Sequence, residues 1–161
     1  VTVQTSILVV DNDATTRDLV AGNFHSADYR VLCARGFGDA YALFRANEPD
    51  VVLLDCISAT SGLIYVKLLR RDARTRRSSI IMMGPQAPAQ DALAALQGGA
   101  DDYVPKPFSV QDLIARVSAV LRRRKPRLAD TRIATVRLNS DPAARCLRVG
   151  ETMEFDLLRS S

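Results

Sequence analysis

Pro49-Asp50-Val51-Val52-Leu53-Leu54-Asp55 decides how the chain is read: four aliphatic residues in a row, entered from a proline and closed by a carboxylate. A short unbroken Val/Leu run bounded in this way predicts a strand buried on both faces, as in a parallel sheet. Asp55 then stands at the carboxyl end of that strand. In an open parallel sheet, ligands bind in the crevice outside those ends. A strand-ending Asp is also common turn punctuation, so the weight of Asp55 depends on what the rest of the chain brings to the same edge.

Working outward, Ser6-Ile7-Leu8-Val9-Val10-Asp11 repeats the pattern, an apolar strand with an acid at its tip, followed at once by Asn12 and Asp13. Asp13 is a suitable N-cap for a helix whose apolar stripe is Leu19, Val20 and Phe24. Tyr29 to Ala34 predicts a shorter strand, and Asp39 to Phe44 the opening of a second helix. After Asp55 the small polar stretch 58–62 reads as a loop. A third helix carrying Leu63, Val66, Leu68 and Leu69 follows and ends in a solvated Arg70–Arg77 patch. Ile80 to Met83 is a fourth strand, stopped by Gly84-Pro85. Ala89 to Gln97 is a small-residue helix closed by Gly98-Gly99. Asp101 to Val104 is a fifth strand, ending at Pro105-Lys106-Pro107-Phe108. Ser109 caps a last helix that turns Val110, Leu113, Ile114, Val117, Val120 and Leu121 inward and ends in Arg122 to Lys125. Strand and helix alternating five times over about 125 residues predict an α/β fold, a doubly wound five-stranded parallel sheet with helices on both faces.

Beyond Pro126 the texture changes. Ile133 to Leu138 and Cys146 to Val149 are short strand candidates around the turn Asn139 to Pro142, and Glu151 to Arg159 is amphipathic. The expected division is therefore residues 1–125 as one domain and 126–161 as a short β-rich extension. Charge divides at nearly the same place: residues 1–120 hold 12 Lys/Arg against 13 Asp/Glu, whereas residues 121–161 hold 10 against 5. The basic excess permits a nucleic-acid partner for the extension.

The three cysteines, Cys33, Cys56 and Cys146, are widely spaced, and His25 is the sole histidine, so no zinc spacing exists. This predicts a reduced, cytoplasmic protein. No apolar run has the length of a membrane span, and residues 1–6 lack the regions of a signal peptide, so neither is expected.

Asp11, Asn12, Asp13, Asp55 and Lys106 all fall at or just past carboxyl ends of predicted strands. Clustered carboxylates repel unless a hard cation neutralises them, and carboxylates plus water suit Mg2+. Lys106 adds a point charge able to hold a phosphoryl oxygen. A carboxylate beside such cations can attack phosphorus and become an acyl phosphate. The constellation predicts phosphoryl transfer onto Asp55.

The run Ile7 to Asp11, the run Val51 to Asp55, and Gly99-Ala100-Asp101-Asp102-Tyr103-Val104-Pro105-Lys106-Pro107-Phe108 together resemble the receiver domain of bacterial two-component response regulators, over residues 6 to about 125. The resemblance implies a flavodoxin-like receiver, with Asp55 as phosphoacceptor and with Asp11, Asn12 and Asp55 as the Mg2+ site. Lys106 and the residue at position 84 would contact the phosphoryl group, and Tyr103 would be the aromatic switch. The last helix and the extension look like the OmpR/PhoB-like subfamily of transcription regulators, with 126–161 as linker and truncated start of a winged-helix domain. The implied partners are a sensor histidine kinase and a second copy through the fourth and fifth helices. DNA enters only if a complete effector domain is present, because a recognition helix and wing are not in these residues. No enzymatic turnover and no membrane partner are implied.

Four positions depart from the family pattern. Asn12 replaces a carboxylate, so metal affinity should fall. Gly84 stands where a hydroxyl residue binds the phosphoryl group and draws the aromatic switch inward. The loop after Asp55 looks one residue short, and Ala59 stands where Pro is usual. Asn12 and Gly84 favour the alternative of a pseudo-receiver, a phosphorylation-independent module on the same fold that binds a protein or small ligand. A redox role for Cys56 is weighed against an inert buried thiol, the commoner state.

Overall fold

The computed structural model describes residues 4–132 and 146–148, with side chains described as far as Arg124. Its elements are β1 (Ser6–Val10), α1 (Ala14–Ser26), β2 (Arg30–Ala34), α2 (Phe37–Asn47), β3 (Val51–Asp55), α3 (Ala59–Arg71), β4 (Ser79–Gly84), α4 (Ala89–Gln97), β5 (Asp102–Pro105), α5 (Val110–Arg132) and β6 (Cys146–Arg148). The sheet order is β5-β4-β3-β1-β2-β6, and every pairing is parallel. The doubly wound arrangement of β1 to β5 is the one expected from the alternation of apolar runs and helical stripes.

Strand alternation explains how both faces are filled. Leu8, Val10, Val52, Leu54, Ile80 and Met82 point to one side, where Phe44, Val66, Leu69 and Ala95 from α2, α3 and α4 close over them. Ile7, Val9, Leu53, Ile81 and Met83 point to the other, under Val20 and Phe24 of α1 and Leu113, Val117 and Val120 of α5. The central strands are thus apolar at nearly every position because both of their faces are core. Each fully buried large aliphatic or aromatic side chain contributes roughly 1.5–3 kcal/mol relative to exposure.

Several local expectations change. The stretch 58–62 is not a loop. Ser58 caps α3 by accepting from Ser61 N–H, and the Ser61 hydroxyl accepts from Ser58 N–H, a reciprocal box that starts the helix at Ala59. Leu19 and Leu68, placed inward by their spacing, are 55% and 43% exposed. The buried stripes run instead through Arg17, Val20, Ala21 and Phe24 on α1, and through Ala59, Gly62, Val66 and Leu69 on α3. Arg70 is a tie rather than a solvated end. Its guanidinium donates to the carbonyls of Gly99, Arg76 and Ser78 and to Asp101, binding α3 to the turn before β5. Gly99 has φ +121, where side chains are strained, and a Cβ there would stand 3.1 Å from Arg70 Cγ, so the turn favours glycine.

α5 does not stop at Lys125 but runs through Pro126 to Arg132, across the expected domain boundary. A mid-helix proline costs a backbone hydrogen bond without forbidding the helix. Arg123 and Arg124, expected at its end, instead donate to Asp101 O and Ser79 Oγ. The sheet gains a sixth strand: Cys146–Arg148, expected in a separate hairpin, pairs with β2, whose outer edge offers unpaired backbone groups. Cys33 on β2 is disulfide-bonded, which corrects the expectation of three thiols. The β2–β6 pairing brings the backbone of a second cysteine position to that edge. The expected strand Ile133–Leu138, the turn 139–142 and the helix 151–159 lie outside the described residues.

Candidate functional site

Parallel order places the carboxyl ends of all the strands on one rim, with β1 and β3 adjacent and β5 two strands from β3. Asp11 follows β1, Asp55 ends β3 and Lys106 directly follows β5, with the next bond, Lys106–Pro107, cis. Their side chains meet. Lys106 Nζ donates to Asp55 Oδ1 at 2.5 Å and lies 3.5 Å from Asp11 Oδ2. The Asp11 side chain is 1% exposed, Asp55 24% and Lys106 33%, so the site opens from a buried carboxylate toward solvent.

This gradient accounts for the protonation behaviour. Burial pushes the Asp11 carboxyl above the usual range, and the charge of Asp55 adds to the rise; the Asp13 N–H and the Lys106 ammonium oppose it. For Lys106, burial works toward deprotonation, but the hydrogen bond to Asp55 and the charges of both carboxylates outweigh it and hold the ammonium above its ordinary value. The pocket therefore holds a firmly protonated amine between the side chains of Asp11 and Asp55.

The loop that carries Asp11 is tightly held. Asp13 N–H donates to Asp11 Oδ1 at 2.9 Å, while the Asp13 carboxylate accepts from Thr16 N–H and caps α1 as expected. Asp13 is thus committed to the helix. Arg17, which sequence reasoning missed, is 6% exposed and donates from Nη1 to the Asp11 carbonyl at 2.9 Å. The signal was present, since Arg17 falls on the same helical stripe as Val20, Ala21 and Phe24.

Asn12 is exposed at the rim. Among the described residues no group of three His, Cys, Asp or Glu stands ready to hold a metal. Two carboxylates, Asp11 and Asp55, that reach the same ammonium nonetheless suit Mg2+. That ion binds through one or two carboxylates and keeps several waters. The donor set fits the ion, with one negative charge fewer than a site carrying a third carboxylate.

Gly84 and Tyr103 are brought together. Tyr103 is 7% exposed and its hydroxyl donates to Pro85 O at 2.6 Å; burial raises its phenol above the ordinary value. Gly84 touches Lys106 only through its backbone, its carbonyl accepting from Lys106 N–H at 2.7 Å. Cys56 is buried and free, and burial, reinforced by the charge of Asp55, pushes its thiol to about 12. That is an inert thiol.

Beside the site lies a largely apolar cavity of about 590 Å³, lined in part by Thr16, Leu19, Ile57, Pro85, Lys106 and Phe108. Ile57, 91% exposed, and Leu19 stand at its rim. Among the described residues no helix is long and apolar enough to cross a membrane.

The family described as response regulator receiver domain matches residues 7–118. The phosphate regulon transcriptional regulatory protein PhoB of Klebsiella pneumoniae is 33% identical over 94% of the chain and 69% of its own length. PhoB of Pseudomonas aeruginosa is 37% identical over 85% and 60%. The DNA-binding regulator RpaA of Synechocystis is 37% identical over 73% of the chain and 49% of its own length, so the chain spans only part of these relatives. Among solved structures, the receiver domain of a Francisella response regulator superposes with a TM-score of 0.68 at 26% identity, covering 76% of the chain and all of that domain. A two-component response regulator from Clostridium difficile gives 0.67 at 30% identity, covering 75% of the chain and 98% of its own.

Proposed function

Because the chain belongs to the response regulator receiver family, in its OmpR/PhoB-like branch, we propose that it accepts a phosphoryl group on Asp55 from a sensor histidine kinase and passes the signal on by changing its protein contacts. The observation that carries this reading is Lys106 Nζ lying against both Asp55 and Asp11. That is where an ammonium must sit to follow charge from the carboxylate onto a transferred phosphoryl group.

In this reading an Asp55 oxygen attacks phosphorus, an O–P bond forms, and the P–N bond of the donor phosphohistidine breaks, returning its electron pair to the imidazole. Lys106 releases Asp55 Oδ1 and binds an equatorial phosphoryl oxygen. Asp11, held by the Asp13 N–H and by Arg17, keeps its carboxylate aimed at the same point. Asp11, Asp55 and the Asn12 oxygen would hold Mg2+, which would supply positive charge to offset the negative charge on the phosphoryl oxygens. The apolar cavity flanked by Leu19 and Ile57 suits the side of an incoming helix that carries the donor.

Association would follow through α4, β5 and α5. Leu93 and Leu96 are exposed on α4, and Arg116 pairs with Asp102 and Asp112 on the same face. PhoB and RpaA are transcriptional regulators; DNA control by the protein that carries this domain, in the cytoplasm, is part of the proposal. Residues 1–125 as receiver and 126–161 as linker and start of an effector complete it. A second reading, a phosphorylation-independent binding module, is favoured by Gly84, which offers no side chain to a phosphoryl group.

The test is Mg2+-dependent phosphorylation by acetyl phosphate, read by intact mass. One added phosphoryl group, absent from Asp55→Ala, supports the first reading. No gain in a folded protein at saturating donor and metal gives the second. Light scattering of the phosphorylated and unphosphorylated chain tests the dimer; a monomer in both states refutes it.

A further inference from the structure

β4 ends at Gly84, and the Tyr103 ring from the neighbouring strand β5 lies over that end. A Cβ placed on Gly84 would stand 2.7 Å from the Tyr103 hydroxyl, 3.4 Å from its Cζ and 3.3 Å from the Cys56 carbonyl oxygen. Real Cβ atoms do not approach within 3.0 Å. The phenol thus fills the room that any side chain at position 84 would need. It is held there by its hydrogen bond to Pro85 O and by burial.

Parity along the strands makes this position consequential. Asp55 pairs with Met83 in register, and Met83 faces the α1 and α5 core. Gly84, one residue on, faces as Met82 does, into the core that holds Cys56 and Tyr103. Position 84 is therefore the place on β4 from which a side chain would meet the Tyr103 ring, and it carries a hydrogen atom.

We propose that Gly84 is a berth for the Tyr103 hydroxyl, so that Tyr103 is fixed inward by Gly84 and Pro85 and its position does not follow the chemical state of Asp55. This rests on the reading of Asp55 as phosphoacceptor. A relay from Asp55 to the ring needs a group whose contacts change when the carboxylate gains charge and bulk, and glycine supplies none. The β5 part of the α4–β5–α5 face is then held in one arrangement.

The full chain labelled with 3-fluorotyrosine tests this by 19F NMR, Tyr103 being assigned among four tyrosines with Tyr103→Phe. Acetyl phosphate with Mg2+ is added while intact mass reports Asp55 in the same sample. The expected result is a gain of one phosphoryl group with the Tyr103 resonance unmoved and titrating above free 3-fluorotyrosine. Gly84→Ala, shown folded by circular dichroism, is expected to expel the ring, moving its resonance to the solvent-exposed position and its titration down to that of free 3-fluorotyrosine. A wild-type Tyr103 resonance that moves as Asp55 is phosphorylated overturns the proposal. So does a folded Gly84→Ala in which the ring stays, or a wild-type Tyr103 that titrates as free 3-fluorotyrosine does. If no phosphoryl group is gained, the reading of Asp55 fails, while the Gly84→Ala and titration results still decide the berth.

Discussion

Replacing Lys106 by Met keeps the length of the side chain and removes its charge from between Asp55 and Asp11. At an effective dielectric of about 20, the gross attraction is about 7 kcal/mol at the Asp55 contact and about 5 kcal/mol at the Asp11 contact. Desolvation offsets most of this. Charge-assisted hydrogen bonds net about 1.5–3 kcal/mol. With Lys106 one-third exposed and Asp55 one-quarter exposed, solvent screening lowers the expected loss to about 1–2 kcal/mol near neutral pH. That is a fall in Tm of about 3–8 °C for a domain of this size.

The sign of the pH dependence follows from the shifts. The Lys106 pKa is raised in the folded state. Its contribution is therefore complete below the unfolded lysine value of about 10.4 and disappears as pH rises through the folded value. On the acid side the loss begins as pH falls through the raised value of Asp11, where the carboxylate that attracts Lys106 is neutralised. The cost of Lys106→Met should peak between these limits and shrink on both sides. Urea unfolding followed by circular dichroism at about pH 3, 7 and 11 measures it. Equal costs at all three pH values, or a cost below about 0.3 kcal/mol at neutral pH, would refute the reasoning.

Asp11→Asn should stabilise the metal-free protein near neutral pH. Because burial raises the Asp11 pKa in the folded state, its charged form opposes folding; stability is greatest below the unfolded value and falls as pH rises through the folded one. The same variant should bind Mg2+ at least about tenfold more weakly by calorimetry, so function and stability conflict at this residue. Gly62→Ala would bring a Cβ within 2.3 Å of Cys56 Sγ and 2.5 Å of Met82 Cε; a loss of about 1–3 kcal/mol in urea titrations is expected. Arg17→Met removes the donor to the Asp11 carbonyl in a buried setting, with an expected cost of about 1–3 kcal/mol and a weaker acetyl-phosphate reaction. Cys56, with its thiol near 12, should resist DTNB in the native protein and react on unfolding; peptide mapping that finds it labelled in the native state contradicts its burial.

Lys106 and Asp55 could be paired on paper because each closes or follows an apolar run, and parallel strands put every such end on the same rim. The order of the elements was legible for the same reason: an unbroken Val/Leu run has little use outside a strand covered on both faces. Boundaries were less legible. Ser58 and Ser61 are ordinary loop residues until they cap each other, and Pro126 looks like a stop although α5 continues through it.

What the sequence by itself determined is local and periodic: which runs are strands, which stripes are helices, and which charged residues stand at strand ends. These follow from the strand period of two and the helix period of 3.6. Only the tertiary structure decided that Arg17 supports the Asp11 loop, that Leu19 faces out beside the site, that β6 joins the edge of β2, and that Gly84 makes room for the Tyr103 hydroxyl. The β2–β6 pairing and the Gly84–Tyr103 fit join residues distant in the chain, and the directions of Arg17 and Leu19 follow from how α1 packs on the sheet, which no pattern of residue types encodes.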